Sequence, residues 1–165
     1  MLVIMVIVIL ICNLNYMLKD KAPLFLNITP SMPIGIYMMI PGNEYKPGDI
    51  VIYSPTVSSL DYFYKYNYEI PETDFIKEIG AVPGDKYSVD KETGIFLVSG
   101  KYIGIAKKKD SQGNDLPEHS GEYTVPEGEF LPVTHYAGSF DGRYIGTMPM
   151  DRIKNKVIPV VIFEL

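Results

Sequence analysis

Beyond an opening apolar run at residues 1–12, hydrophobic positions come in short stretches cut by polar turns. GIYMMI (35–40) and IVIY (50–53) flank the turn KPGD, and DFIKEIGAV (74–82) leads into PGD. KYSVD, IFLVSG and KYIGIA follow, separated by KETG and a Gly-Lys step, and then comes a polar loop over 107–121. EYTVPEGEFLPVTH holds two further runs about a Pro-Glu-Gly turn, and NKVIPVVIFEL closes the chain. Short β-branched and aromatic runs between Pro-Gly and Gly signals predict strands of a mainly β fold, in coiled sheets or a barrel rather than a doubly wound sheet. In DYFYKYNYE (61–69), Tyr62, Tyr64, Tyr66 and Tyr68 alternate, so a strand would carry all four on one face. Such a face could rest on a membrane interface or grip an extended peptide, although an ordinary aromatic strand or a loop packing on the core is the plainer expectation.

The twelve-residue run MLVIMVIVILIC is short for a spanning helix and has the length of a signal-peptide core. It has no basic flank before it and no small-x-small site after it. Continued through Tyr16 to Leu18 it makes about 27 Å of helix, close to the hydrocarbon thickness. The pattern therefore favours an uncleaved membrane anchor over residues 1–18, with one globular domain at 19–165.

Composition narrows the class. A net charge of −5 argues against nucleic acid as a partner. Cys12 is the only cysteine and there are two histidines, so neither a disulfide nor a thiolate metal cluster is expected, and no cofactor. Lys107, Lys108 and Lys109 form the one basic run and read as a solvated loop.

Three segments carry candidate chemistry. In NITPSMPIGIY, Ser31 lies between Pro30 and Pro33, whose rings restrict Thr29 and Met32 as well, so the hydroxyl is expected on a stiff, extended, non-helical segment. In FIKEIGAV, strand alternation sets Lys77 among Phe75, Ile79 and Ala81, a single charge on an apolar face. Burial lowers the pKa of an amine, and a neutral lysine can take a serine's proton and return it to a leaving group without any histidine. In SFDGRYIG, Ser139, Asp141 and Arg143 alternate; a carboxylate beside an arginine commonly forms an ion pair that fixes a loop.

TPSMPIGIY, FIKEIGAVPGD and SFDGRYIG, in that order behind an apolar segment, resemble the signal peptidase I family of serine–lysine endopeptidases. The likeness is greatest to its TraF-type conjugative-transfer branch and covers about residues 27 to 161. The resemblance implies a coiled β catalytic core with a smaller β region inserted near 86–130, facing the periplasm or exterior from a bacterial membrane. It implies Ser31 as nucleophile and Lys77 as general base, with the Ser31 N–H and the Thr29 hydroxyl stabilising the oxyanion. Ser139 would orient the lysine, Asp141 with Arg143 would brace the site with the aspartate as catalytic support, and Met32 and Pro33 would meet the substrate. That substrate would be a preprotein or pilin-like polypeptide cut after small residues and bound as an added strand. The family's third segment usually reads Ser-x-Asp-Ser-Arg; Gly142 replaces its second serine here, which is expected to loosen the loop.

Two other readings stay open on the sequence. One is a non-catalytic assembly or adaptor protein on the same scaffold, binding through its tyrosines. The other is a Ser-His-Asp hydrolase using His135 and Asp141.

Overall fold

The computed structural model describes residues 24–68 and 74–163, with Val6, Ile9, Leu10 and Asn13 from the N-terminal segment. Those four are helical and exposed, and the rest of the expected anchor lies outside the described residues. Among the described residues no helix is long and apolar enough to cross a membrane.

The fold is mainly β, as the punctuated pattern predicts. A seven-stranded sheet is built from β1 (Leu24–Asn27), β2 (Gly35–Ile40), β3 (Ile50–Tyr53), β4 (Phe75–Ala81), β9 (Glu129–Val133), β10 (Met148–Pro149) and β11 (Ile153–Ile162). Its order is β1-β2-β11-β3-β4-β9-β10, so the last long strand is inserted between β2 and β3. Each of its named pairings is antiparallel. Between β4 and β9 the chain makes a separate four-stranded sheet from β5 (Lys86–Val89), β6 (Ile95–Val98), β7 (Lys101–Ile105) and β8 (Gly121–Thr124), ordered β7-β6-β5-β8.

Two clusters fill the larger sheet. Met32, Tyr37, Ile52, Ile76 and Val157 form one, and Val51, Tyr53, Ile79, Phe130 and Met148 the other. A third cluster, including Tyr87, Phe96 and Val98 with Leu131 and Val133 of β9, joins the smaller sheet to the larger. Burying each such side chain contributes about 1.5–3 kcal/mol, so these clusters are what fix the sheets.

The tyrosine segment is not a strand. Ser58–Leu60 is a 3-10 turn and Asp61–Lys65 a short helix. Helical spacing brings Tyr62 and Tyr66 together, with ring centroids 5.3 Å apart, while Tyr62 stacks on Phe140 at 5.3 Å. The hydroxyls of Tyr62 and Tyr68 both donate to Asp110 Oδ2, tying this segment to the loop after β7. Alternation in sequence thus gave way to tertiary contacts that a strand could not make. Neither a strand nor a four-tyrosine face forms; the segment packs on Phe140 and on the loop after β7, in line with the plainer reading of a packed loop.

Candidate active site

Ser31 sits in the connection between β1 and β2, which the hydrophobic residue Met32 pins to the core. Met32 is buried against the cluster that contains Ile76, the residue just before Lys77. Pro33, the other residue expected to meet the substrate, is exposed. Pro30 and Ser31 adopt a turn rather than the expected extended segment. The prolines restrict the chain locally, but its closure depends on Asn27, which bonds to Thr29, Met32 and Pro33.

Lys77 lies in the middle of β4, paired with Val51 of β3. Only 4 % of it is exposed, and its Nζ donates to Ser139 Oγ at 2.7 Å. Burial is the main cause that lowers its pKa from 10.5 to about 8; the Asp141 charge opposes this shift and the Arg143 charge adds to it. The apolar face read from strand alternation is therefore a buried one.

SFDGRYIG folds into a one-turn helix, Gly142–Ile145, capped by Asp141, which accepts from the Arg143 N–H. Asp141 and Arg143 are fully buried. The guanidinium donates from Nε to Asp141 Oδ1 at 2.8 Å and from Nη2 to Oδ2 at 3.0 Å. Nη2 also donates to the Thr134 carbonyl, and Nη1 reaches the Ile105 carbonyl on β7 at 3.4 Å. One arginine thus joins both sheets at the site. Burial pushes the Asp141 carboxyl up, against the pull of Arg143 and Lys77.

Thr134, which the sequence analysis missed, links these parts. Its N–H donates to Asp141 Oδ2 at 2.9 Å, and its hydroxyl donates to the Ser31 carbonyl, 103 residues away in sequence. The Ser31 turn is thereby held to the same carboxylate whose charge acts on Lys77. Ser31 Oγ itself contacts Thr29 Oγ1 at 3.1 Å. Among the described residues, Lys77 donates to Ser139 and not to Ser31, so a proton transfer between Ser31 and Lys77 would require the serine hydroxyl to swing from Thr29 toward the amine. Such bonds often tighten only when substrate is bound. His135 is exposed, whereas both Asp141 oxygens are already engaged by Arg143 and Thr134. That arrangement does not orient a histidine. Among the described residues no cluster of ligands could hold a metal ion.

Gly142 does not loosen its loop. A Cβ there would lie 2.7 Å from the Pro132 carbonyl oxygen and 2.6 Å from Leu131 Cδ1, so this glycine lets the helix pack directly on β9. Gly142→Ser, which restores the usual family residue, is expected to destabilise by about 1–3 kcal/mol through overpacking. Urea titration would show this as a lower midpoint with an unchanged slope; an unchanged midpoint would mean that β9 can yield.

The comparisons with known proteins place the molecule among the peptidases. The family model described as "Signal peptidase, peptidase S26" matches residues 1–162, and the chain belongs to that family. The family indicates a serine peptidase of the signal peptidase I kind, with preproteins as its substrates. Among solved structures, a signal peptidase I from Enterococcus faecalis aligns at 14% identity and a TM-score of 0.39, covering 68% of this chain and 96% of that one. No curated protein matches the chain.

Proposed function

We propose that this protein is a membrane-anchored endopeptidase that cuts leader peptides from exported or pilin-like proteins through Ser31 and Lys77, and that it serves conjugative transfer as a TraF-type enzyme. It would be held by its N-terminal apolar segment, with the β domain on the outer side of a bacterial cytoplasmic membrane. The observation that carries the reading is the buried Lys77 amine, lowered toward neutrality and bonded to Ser139.

Neutral Lys77 accepts the Ser31 proton as Oγ attacks the scissile carbonyl carbon. The resulting oxyanion is met by the Ser31 N–H and the Thr29 hydroxyl. Lys77 then gives its proton to the departing amide nitrogen, the C–N bond breaks, and an ester remains on Ser31. Water, deprotonated by the same amine, hydrolyses that ester and restores both side chains. Ser139 holds Nζ in place, and Asp141 with Arg143 fixes the wall behind it.

Cleavage of a small-x-small preprotein by the detergent-solubilised full chain tests this. Wild type is expected to cut, and Ser31→Ala to be silent while folded. Because the base must be neutral, kcat/KM should rise with pH through a midpoint near the Lys77 value of about 8. A midpoint near the histidine range of about 6.5 would instead assign the base to an imidazole.

A further inference from the structure

Every polar atom of the Asn27 side chain faces the turn that carries Ser31. Asn27 ends β1, pairs with Gly35 and is 2 % exposed. Its Oδ1 accepts from the Thr29 N–H at 3.1 Å and from the Thr29 hydroxyl at 2.9 Å. Its Nδ2 donates to the carbonyls of Thr29 at 3.0 Å, Met32 at 3.0 Å and Pro33 at 3.1 Å. The reverse amide orientation would set an oxygen against three carbonyls and an NH2 against an N–H, so the partners themselves fix which atom is which.

Proton counting then sets a direction. A threonine hydroxyl has one proton, and that of Thr29 goes to Asn27 Oδ1. In the 3.1 Å contact between Thr29 Oγ1 and Ser31 Oγ, the donor is therefore Ser31. The chain of donation runs from Ser31 through Thr29 to Asn27. At rest it keeps the Ser31 proton away from Lys77, and it keeps the Thr29 proton away from an oxyanion.

We propose that Asn27 is a positioning residue of this enzyme: its amide shapes the nucleophile turn and directs the Ser31–Thr29 hydroxyl pair. This rests on the reading of Ser31 as nucleophile. Attack reverses the chain, with Ser31 turning to Lys77 and Thr29 turning from Asn27 toward the carbonyl oxygen. Throughout, Asn27 still holds the turn through the Thr29 N–H and the Met32 and Pro33 carbonyls. Without it, Ser31 has no fixed starting place and Thr29 no fixed partner.

The test uses the full chain in detergent, comparing wild type, Asn27→Ala, Asn27→Asp and Thr29→Val, and the Asn27→Ala/Thr29→Val double variant. Asn27→Asp retains the acceptor but sets an oxygen opposite the Met32 and Pro33 carbonyls. Measurements are kcat and KM on a preprotein, the labelling rate of Ser31 by a fluorophosphonate, and the melting temperature, with kinetics run well below the melting range. For Asn27→Ala, kcat should fall about 10²-fold and KM change less than about threefold, as for a misplaced reacting group. Labelling should slow in parallel, and the Asn27→Ala change should have less effect once Thr29 is valine. If Asn27→Ala fails to fold, Asn27→Asp is read in the same way.

If wild type labels at Ser31 and the folded Asn27 variants label and cut at its rate, Asn27 is merely structural and the proposal is overturned. If wild type neither cuts nor labels at Ser31, the nucleophile reading falls and the proposal falls with it.

Discussion

Lys77→Met is expected to give a folded protein that no longer cuts. Methionine fills nearly the same space on the buried face of β4 but has no lone pair able to take the Ser31 proton. Loss of an activating base in a serine enzyme lowers kcat by roughly 10⁴-fold. KM should change little, since in the proposed mechanism the amine acts on the nucleophile rather than on the substrate's flanking chain. Stability should move the opposite way. Unfolded, Lys77 keeps its proton up to its ordinary value of 10.5, whereas folded it loses the proton above about 8. Between those values the unfolded chain binds more protons, so wild-type stability rises with pH across that window. Below about 8 the folded protein carries the full penalty of a buried charge, on the order of 3 kcal/mol. The variant escapes that penalty but leaves Ser139 without its partner. A net gain of about 1–2 kcal/mol at pH 7 is therefore expected. Denaturant titrations at pH 7 and pH 10 would show it, the difference between the proteins shrinking at the higher pH. A variant less stable than wild type at both values would mean that Lys77 is buried as a well-compensated cation.

Arg143→Ala should be the most destabilising of these substitutions. It leaves the Asp141 carboxylate fully buried without its bonded counter-ion, with the Lys77 charge alone acting on it, and removes donors from the Thr134 and Ile105 carbonyls. Breaking a buried pair in this way costs about 3–5 kcal/mol, which for a chain of this size lowers the melting temperature by roughly 10 °C. Lysine should not rescue it, because one ammonium cannot reproduce the two parallel bonds to Asp141. A loss of activity should follow, since Thr134 bonds both to this pair and to the Ser31 carbonyl. Melting within about 2 °C of wild type would show that water reaches Asp141 once the arginine is gone.

Local signals carried most of the strand order. Glycine and proline turns separate most of the strands from β2 through β9, β11 stands out as the closing apolar run, and strand alternation put Lys77 on the face that proves buried. β1 escaped notice because LFLN is short and runs straight into the proline turn, and β10 is only two residues long. Alternation alone could not decide the tyrosine segment between an aromatic strand face and a packed loop, because the outcome rests on the partners that the rings find. Here those partners were Phe140 and Asp110, 78 and 48 residues from Tyr62 in sequence, beyond the reach of any local pattern. Ser31, Ser139, Asp141 and Arg143 were visible as an ordered set of motifs, yet Thr134 was not, since a threonine just after a strand has no signature until its distant partner is placed. Asn27 did leave a trace. An asparagine whose side chain can accept from the N–H two residues on is a common turn opener, and here it precedes Thr-Pro-Ser.

The most direct test of the account is to treat the detergent-solubilised protein with a fluorophosphonate at pH 8.5 and locate the adduct by peptide mass spectrometry, alongside Ser31→Ala and Lys77→Met. The expected result is one adduct, on Ser31, absent from the alanine variant and formed far more slowly without the lysine amine. An adduct on another serine, or labelling of Ser31 at the same rate when Lys77 is methionine, would contradict the Ser31–Lys77 mechanism.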